Sequence, residues 1–116
     1  MVSGLNQFRK TNRLSKPAEF KALFTNGKRR QLLPFMFLAK RNDLDEARLG
    51  LAISKKHVPL ATQRNSLKRL IRESFREHKK IFIGWDVVVV TKRKVDMTSL
   101  NQLPVLLRRY WESVGQ

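Results

Sequence analysis

Cysteine is absent from these 116 residues, which removes disulfide frameworks, thiolate zinc sites and cysteine nucleophiles together. Metal chemistry is left with oxygen and imidazole ligands. Acidic residues are scarce as well: nine Asp and Glu stand against 25 Lys and Arg, a formal net charge of +16. The opening "MVSGLNQFRKTNRL" lacks the ~7–15-residue apolar core of a signal peptide, and no run approaches the ~20 apolar residues of a membrane span. A cytoplasmic protein is expected. No Gly-rich phosphate loop is present, and the two histidines, His57 and His78, have no carboxylate partner in a recognisable catalytic spacing. His78 falls on the packing side of its helix and reads as a boundary residue. Asp43, Asp45 and Glu46 sit together in a polar turn whose spacing matches neither calcium nor two-metal chemistry. No catalytic residue and no metal ligand is assigned to the chain.

What is present is a core of one domain's size and an excess of positive charge. With 41% hydrophobic residues and no linker or repeat, residues 1–116 read as a single domain, the first dozen forming a mobile basic arm. The charge is uneven: residues 1–30 carry +7, residues 31–54 are neutral and residues 55–80 carry +7. Counterion release makes a polyphosphate the natural partner of such a chain.

Six elements are predicted. "KPAEFKALFTNG", residues 16–27, reads as a short helix with Pro17 in its first turn and Gly27 as its stop. "LLPFMFLAK" and "RLGLAIS", separated by the polar "RNDLDEA", read as an antiparallel hairpin. The second run sets Leu49, Leu51 and Ile53 on one face and the small Gly50 and Ala52 on the other. Residues 61–80 form the strongest helix, and "WDVVVVTK" is a strand covered on both faces. A last helix lies within "SLNQLPVLLRRYWES"; a cap at Ser99 and the tolerance of Pro104 for the first turn place its start differently. The class is α+β, a mixed two-layer sandwich on one small sheet.

At ~100° per residue, the helix over 61–80 divides into sectors. Leu67, Leu70, Ile71, Ser74, Phe75 and His78 form a packing face, whereas Arg64, Lys68, Arg72, Lys79, Asn65, Arg76 and Arg69 form one stripe, with Glu73 and Glu77 on the far side. The i,i+4 series Arg64, Lys68, Arg72 and Arg76 is all of one sign, and such pairs destabilise a lone helix by a few tenths of a kcal/mol each. An anion on that face removes the penalty. Arg can grip phosphate or stack on a base, and Asn65 can read a base edge or ribose hydroxyl, which suits structured RNA at least as well as duplex DNA. Lys55 and Lys56 extend the stripe.

The stretch "ISKKHVPLATQRNSLKRLIRESFR", residues 53–76, closely resembles the signature of the protein subunit of bacterial ribonuclease P, a strand ending in S-K-K followed by a helix bearing R-N-R-x-K-R-x-x-R. "NRLSKPAEFKALFTNGK" and "DVVVVTKR" resemble its first helix and last core strand. The resemblance implies a small mixed sheet with the basic helix in a βαβ crossover of left-handed sense, against the general right-handed rule. It implies a holoenzyme in which an RNA subunit, holding the Mg2+ ions, removes the 5′ leader of precursor tRNA; the partners are that RNA and precursor tRNA, with no membrane and no DNA. Lys55, Lys56, Arg64, Asn65, Lys68, Arg69, Arg72 and Arg76 would contact the RNA subunit. Phe20, Phe24 and Arg13 would contact the leader, although two Phe at i,i+4 read from pattern alone as core. Ser66 replaces the second Arg of the motif, off the stripe. The competing readings are a general structured-RNA binder such as a ribosomal protein, and a self-sufficient nuclease, against which the lack of paired carboxylates argues.

Overall fold

The computed structural model describes residues 13–14 and 16–114, so the arm over residues 1–12 lies outside the described residues. The elements run α1 (Pro17–Asn26), β1 (Lys28–Leu32), β2 (Phe35–Arg41), β3 (Arg48–Ala52), α2 (Ala61–Glu77), β4 (Trp85–Thr91) and α3 (Leu103–Val114), with 3-10 turns over Lys79–Phe82 and Met97–Gln102. The four strands form one mixed sheet in the order β1-β2-β4-β3. β4 is antiparallel to β2 and parallel to β3, so β3, α2 and β4 make a βαβ unit. The fold is α+β, as expected.

Three expectations are corrected. The hairpin between the second and third strands does not form, because β4 lies between β2 and β3. β4 is the strand whose valines are apolar on both sides, and the centre of the sheet is where both faces are covered. β1 has four exposed residues, Lys28, Arg29, Arg30 and Gln31, and therefore no apolar alternation by which to find it. The basic helix ends at Glu77; Lys79 turns into the 3-10 segment and is buried, so it leaves the stripe.

On one face of the sheet, Phe35, Phe37, Val87, Val89 and Leu49 meet Leu67, Ile71 and Phe75 of α2 and Leu107, Tyr110 and Trp111 of α3. Tyr110 stacks on Phe37 at 3.8 Å between ring centroids, and the Trp111 indole N–H donates to Ser74 Oγ at 2.8 Å, which explains a buried serine on the packing face. Pro104 falls in the first turn of α3, and Asp96 caps the preceding 3-10 turn; the hydrogen bonds it accepts from the Thr98 hydroxyl, the Thr98 N–H and the Ser99 hydroxyl hold its carboxyl below the ordinary value.

The other face carries a smaller core of Met36, Leu38 and Val88 under Leu14 and Leu23, with Phe20 packed beside them. Gly50 makes this possible: a Cβ there would stand 2.7 Å from Phe20 Cζ and 3.0 Å from Leu14 Cβ. Gly27 stops α1 by room and not by handedness, since its φ is −73° and an added Cβ would meet the Leu23 carbonyl oxygen at 2.5 Å.

Candidate nucleic-acid interface

α2 presents most of its cations on one flank. Lys68, Arg72 and Arg76 are half-buried and Asn65 and Arg69 are exposed, while Leu67, Ile71, Ser74 and Phe75 are buried behind them. Arg64 is not wholly free for a ligand: its Nη1 donates to the carbonyls of Val58 and Pro59 at 3.0 and 2.8 Å, tying the helix start to the preceding loop. Arg76 is turned to Glu73, its i,i+3 neighbour, with which it forms an ion pair; the acids are therefore less segregated than the helical wheel suggests. Arg69 faces the groove beside α3, near Ser66 and Arg108.

Lys55 and Lys56 stand exposed on a turn over residues 54–58 that is pinned from below. The His57 Nδ1 lies 2.7 Å from Ser54 Oγ and 3.1 Å from Thr91 Oγ1, and the Val58 N–H donates to the Ser54 carbonyl at 3.0 Å. This joins the turn to the end of β4. Both contacts fall on the same ring nitrogen, so the imidazole serves to tie the turn to the sheet.

The segment ahead of α1 links the two surfaces that the sequence separates. Arg13 bridges to Leu49 in parallel fashion and the Leu14 N–H donates to the Leu49 carbonyl at 2.9 Å, so both residues run along the outer edge of β3. Leu14 turns inward to Gly50 and Phe20. Arg13 reaches the field of Arg72, whose guanidinium is held below the usual arginine value by its burial first and by Arg13 second. Two cations 59 positions apart in sequence thus share one region, at an electrostatic cost that a bound polyanion would relieve.

Across the edge, α1 lies on the sheet. Phe20 is half-buried and belongs to the small core; Phe24 is 36% exposed and does not. Arg29 donates to the Phe24 carbonyl at 2.6 Å, placing a cation beside that ring's backbone. Beyond α1, Ala52 and Val90 remain half-exposed on the same sheet face, leaving an open floor next to the helix. The helix is clamped by Arg48, which donates to Glu19 Oε2 at 2.6 Å and through two nitrogens to both Asp86 oxygens at 2.8 Å. Hydrogen bonding to Asp86 raises the Arg48 pKa above its ordinary value despite burial. Sequence reading missed Arg29 and Arg48, because neither belongs to a motif and their partners are distant in the chain.

The model of the Ribonuclease P family matches residues 8–115. The chain belongs to the ribonuclease P protein family. The ribonuclease P protein component of Pseudomonas syringae pv. tomato is 46% identical over 94% of this chain and 83% of its own length; that of Pseudomonas savastanoi pv. phaseolicola is 38% identical over the same shares. Among solved structures, the RNase P protein of Staphylococcus aureus superposes with a TM-score of 0.70 at 28% identity, covering 90% of this chain and 93% of that one. The RNase P protein of Thermotoga maritima gives 0.65 at 35% identity, covering 84% and 96%. Membership makes the chain an RNA-binding protein subunit of a tRNA-processing endoribonuclease complex, and the ribosomal-protein alternative gains no support.

Proposed function

We propose that the chain docks on the catalytic RNA of ribonuclease P through the α2 flank and the Lys55–Lys56 turn, and holds the 5′ leader of precursor tRNA on the open sheet face beside α1. In this reading the cytoplasmic RNA subunit hydrolyses the phosphodiester with its own magnesium ions. The observation that carries it is the concentration of cations at Lys55, Lys56, Lys68 and Arg72, with Arg13 brought into the field of Arg72 at the border of the α1 face. Among the described residues no three carboxylates or imidazoles converge on a point where a metal ion would sit, and Glu19 and Asp86 are both held by Arg48. The protein's part is to neutralise phosphate and to position two RNAs.

Reconstitution tests this. Adding the chain to ribonuclease P RNA should lower the magnesium concentration needed to cut precursor tRNA, with no cleavage by the protein alone. An unchanged magnesium requirement would remove the proposal.

Asn65 is exposed and uncharged, so Asn65→Ala should remove one or two specific hydrogen bonds to RNA, about 1 kcal/mol each, and leave the long-range attraction intact. The defect should persist at high salt in a binding titration; a defect that fades with salt would show Asn65 acting through the general field.

The two phenylalanines separate by burial. Phe24→Leu should weaken binding of precursor tRNA to the holoenzyme by about 1–3 kcal/mol, the range for a lost base stack, while leaving mature tRNA binding and the melting temperature unchanged. Phe20→Leu should in addition lower stability by up to about 1.5 kcal/mol, because that ring packs on Gly50. Equal weakening toward precursor and mature tRNA would overturn the leader assignment.

A further inference from the structure

The α2 flank and the α1 face use fewer than half of the 25 basic residues, and a second concentration lies at the other edge of the sheet. Lys28 and Arg30 of β1 and Arg41 of β2 are exposed and, by the strand register, share the side of the sheet that carries Ala39, Val87 and Trp85. The half-buried Trp85 pairs across strands with Arg41, whose Cζ is 4.8 Å from the indole centroid. Ala39 is small enough to let Lys28 reach over it, with Nζ 5.7 Å from the same ring. None of the three cations forms an ion pair with a carboxylate among the described residues. Leu44 and Ile83, 45% and 44% exposed, lie in the turns that flank this end of the sheet.

We infer that this outer edge is a second RNA-contacting surface, in which Trp85 and the Arg41 guanidinium stack unpaired bases while Lys28, Arg30 and Arg41 neutralise the adjoining phosphates. An aromatic ring among unpaired cations is the arrangement that single-stranded nucleic acid favours, since bases stack on indole or guanidinium planes and the backbone needs counter-charge. Like charges on neighbouring strands are unfavourable in the free protein, and a polyanion cancels that cost. Guarding an edge against pairing with other chains also calls for lysine and arginine, on β1 and on Arg41, where β2 runs past the start of β1 and is itself the edge. It does not account for two cations set on one indole. β1 and β3 are the two ends of the strand order, three spacings or about 14 Å apart, and Trp85 on β4 stands between them, one spacing from β3.

The inference rests on the proposed docking to ribonuclease P RNA, and the test separates the two. The chain is assembled with that RNA and mapped by hydroxyl-radical footprinting, beside an edge variant (Lys28→Gln, Arg30→Gln, Arg41→Gln) and an α2 variant (Lys68→Ala, Arg69→Ala, Arg72→Ala). The edge variant should keep the parent's melting temperature, lose protection at one RNA segment that the α2 variant still protects, and flatten the log–log salt slope by about two. Trp85→Leu should lose the same protection and Trp85→Phe should retain it. An edge variant that gives the parent's footprint and slope overturns the inference, and so does one whose sole change is self-association, the mark of an edge guard. If the α2 variant also gives the parent's footprint, the docking reading fails with it.

Discussion

Replacing Lys68, Arg69 and Arg72 together by alanine should weaken affinity for ribonuclease P RNA about a hundredfold near physiological salt, because each lost phosphate contact removes just under one unit of the log–log salt slope. The slope itself should flatten by about two to three. These positions are chosen because their side chains lie off the buried sector of α2, so the melting temperature should move by no more than a few degrees. Arg64 is left in place: its bonds to the Val58 and Pro59 carbonyls mean that its removal would disturb the loop as well as the charge. Binding titrations at several salt concentrations, beside thermal melts, check both halves. A large fall in melting temperature with an unchanged slope would make the stripe structural.

The largest effect on stability is expected at Arg48. Arg48→Met keeps much of the aliphatic stem but leaves Asp86, 8% exposed, without its bidentate partner, and frees Glu19 of α1. Breaking a buried pair from one side is costly; with Asn42 still donating to Asp86 Oδ1 at 2.8 Å, the loss should be about 3 kcal/mol, or roughly 10 °C in melting temperature. Changing both residues, Arg48→Met with Asp86→Leu, should restore most of that loss, since no charge is then buried alone. The sequel matters for function: α1 is tied to the sheet by this cluster, so Arg48→Met should weaken precursor tRNA binding more than RNA-subunit binding. Equal effects on both would show that the clamp stabilises the whole domain without shaping the α1 face.

Side-chain pattern made much of this readable from sequence, whereas pairing between distant segments did not. The alternation in β3 places Leu49 in the main core and Gly50 under Phe20, and the valines of β4 serve both faces, as their composition implies. The order of strands was hidden, because a short polar turn between two apolar runs favours a hairpin locally, yet residues 42–47 here span the width of β4. Asp43 takes a positive φ of 58° in that turn and the Leu44 N–H donates to Asn42 Oδ1, local devices that serve a wide connection as well as a narrow one. On α2, the wheel found the stripe but carried it one turn too far, to Lys79, where the helix tightens into 3-10 geometry. It also could not show that Arg76 reaches Glu73, because ideal angles omit the length of the side chains. The approach of Arg13 to Arg72 depends on the path of the chain along β3 and leaves no local signal.

Whether one small domain offers different faces to two RNAs is directly testable, because the chain has no cysteine. A single cysteine introduced as Ser66→Cys, exposed on α2, or as Thr25→Cys, exposed on α1, carries a tethered iron chelate that cuts RNA within reach. In the holoenzyme bound to precursor tRNA, the probe at position 66 should cleave the catalytic RNA and spare the leader. The probe at position 25 should cleave the leader, and its cuts should vanish with mature tRNA. Leader cleavage from position 66, or cuts from position 25 that persist with mature tRNA, would show that the two RNAs do not divide between these faces.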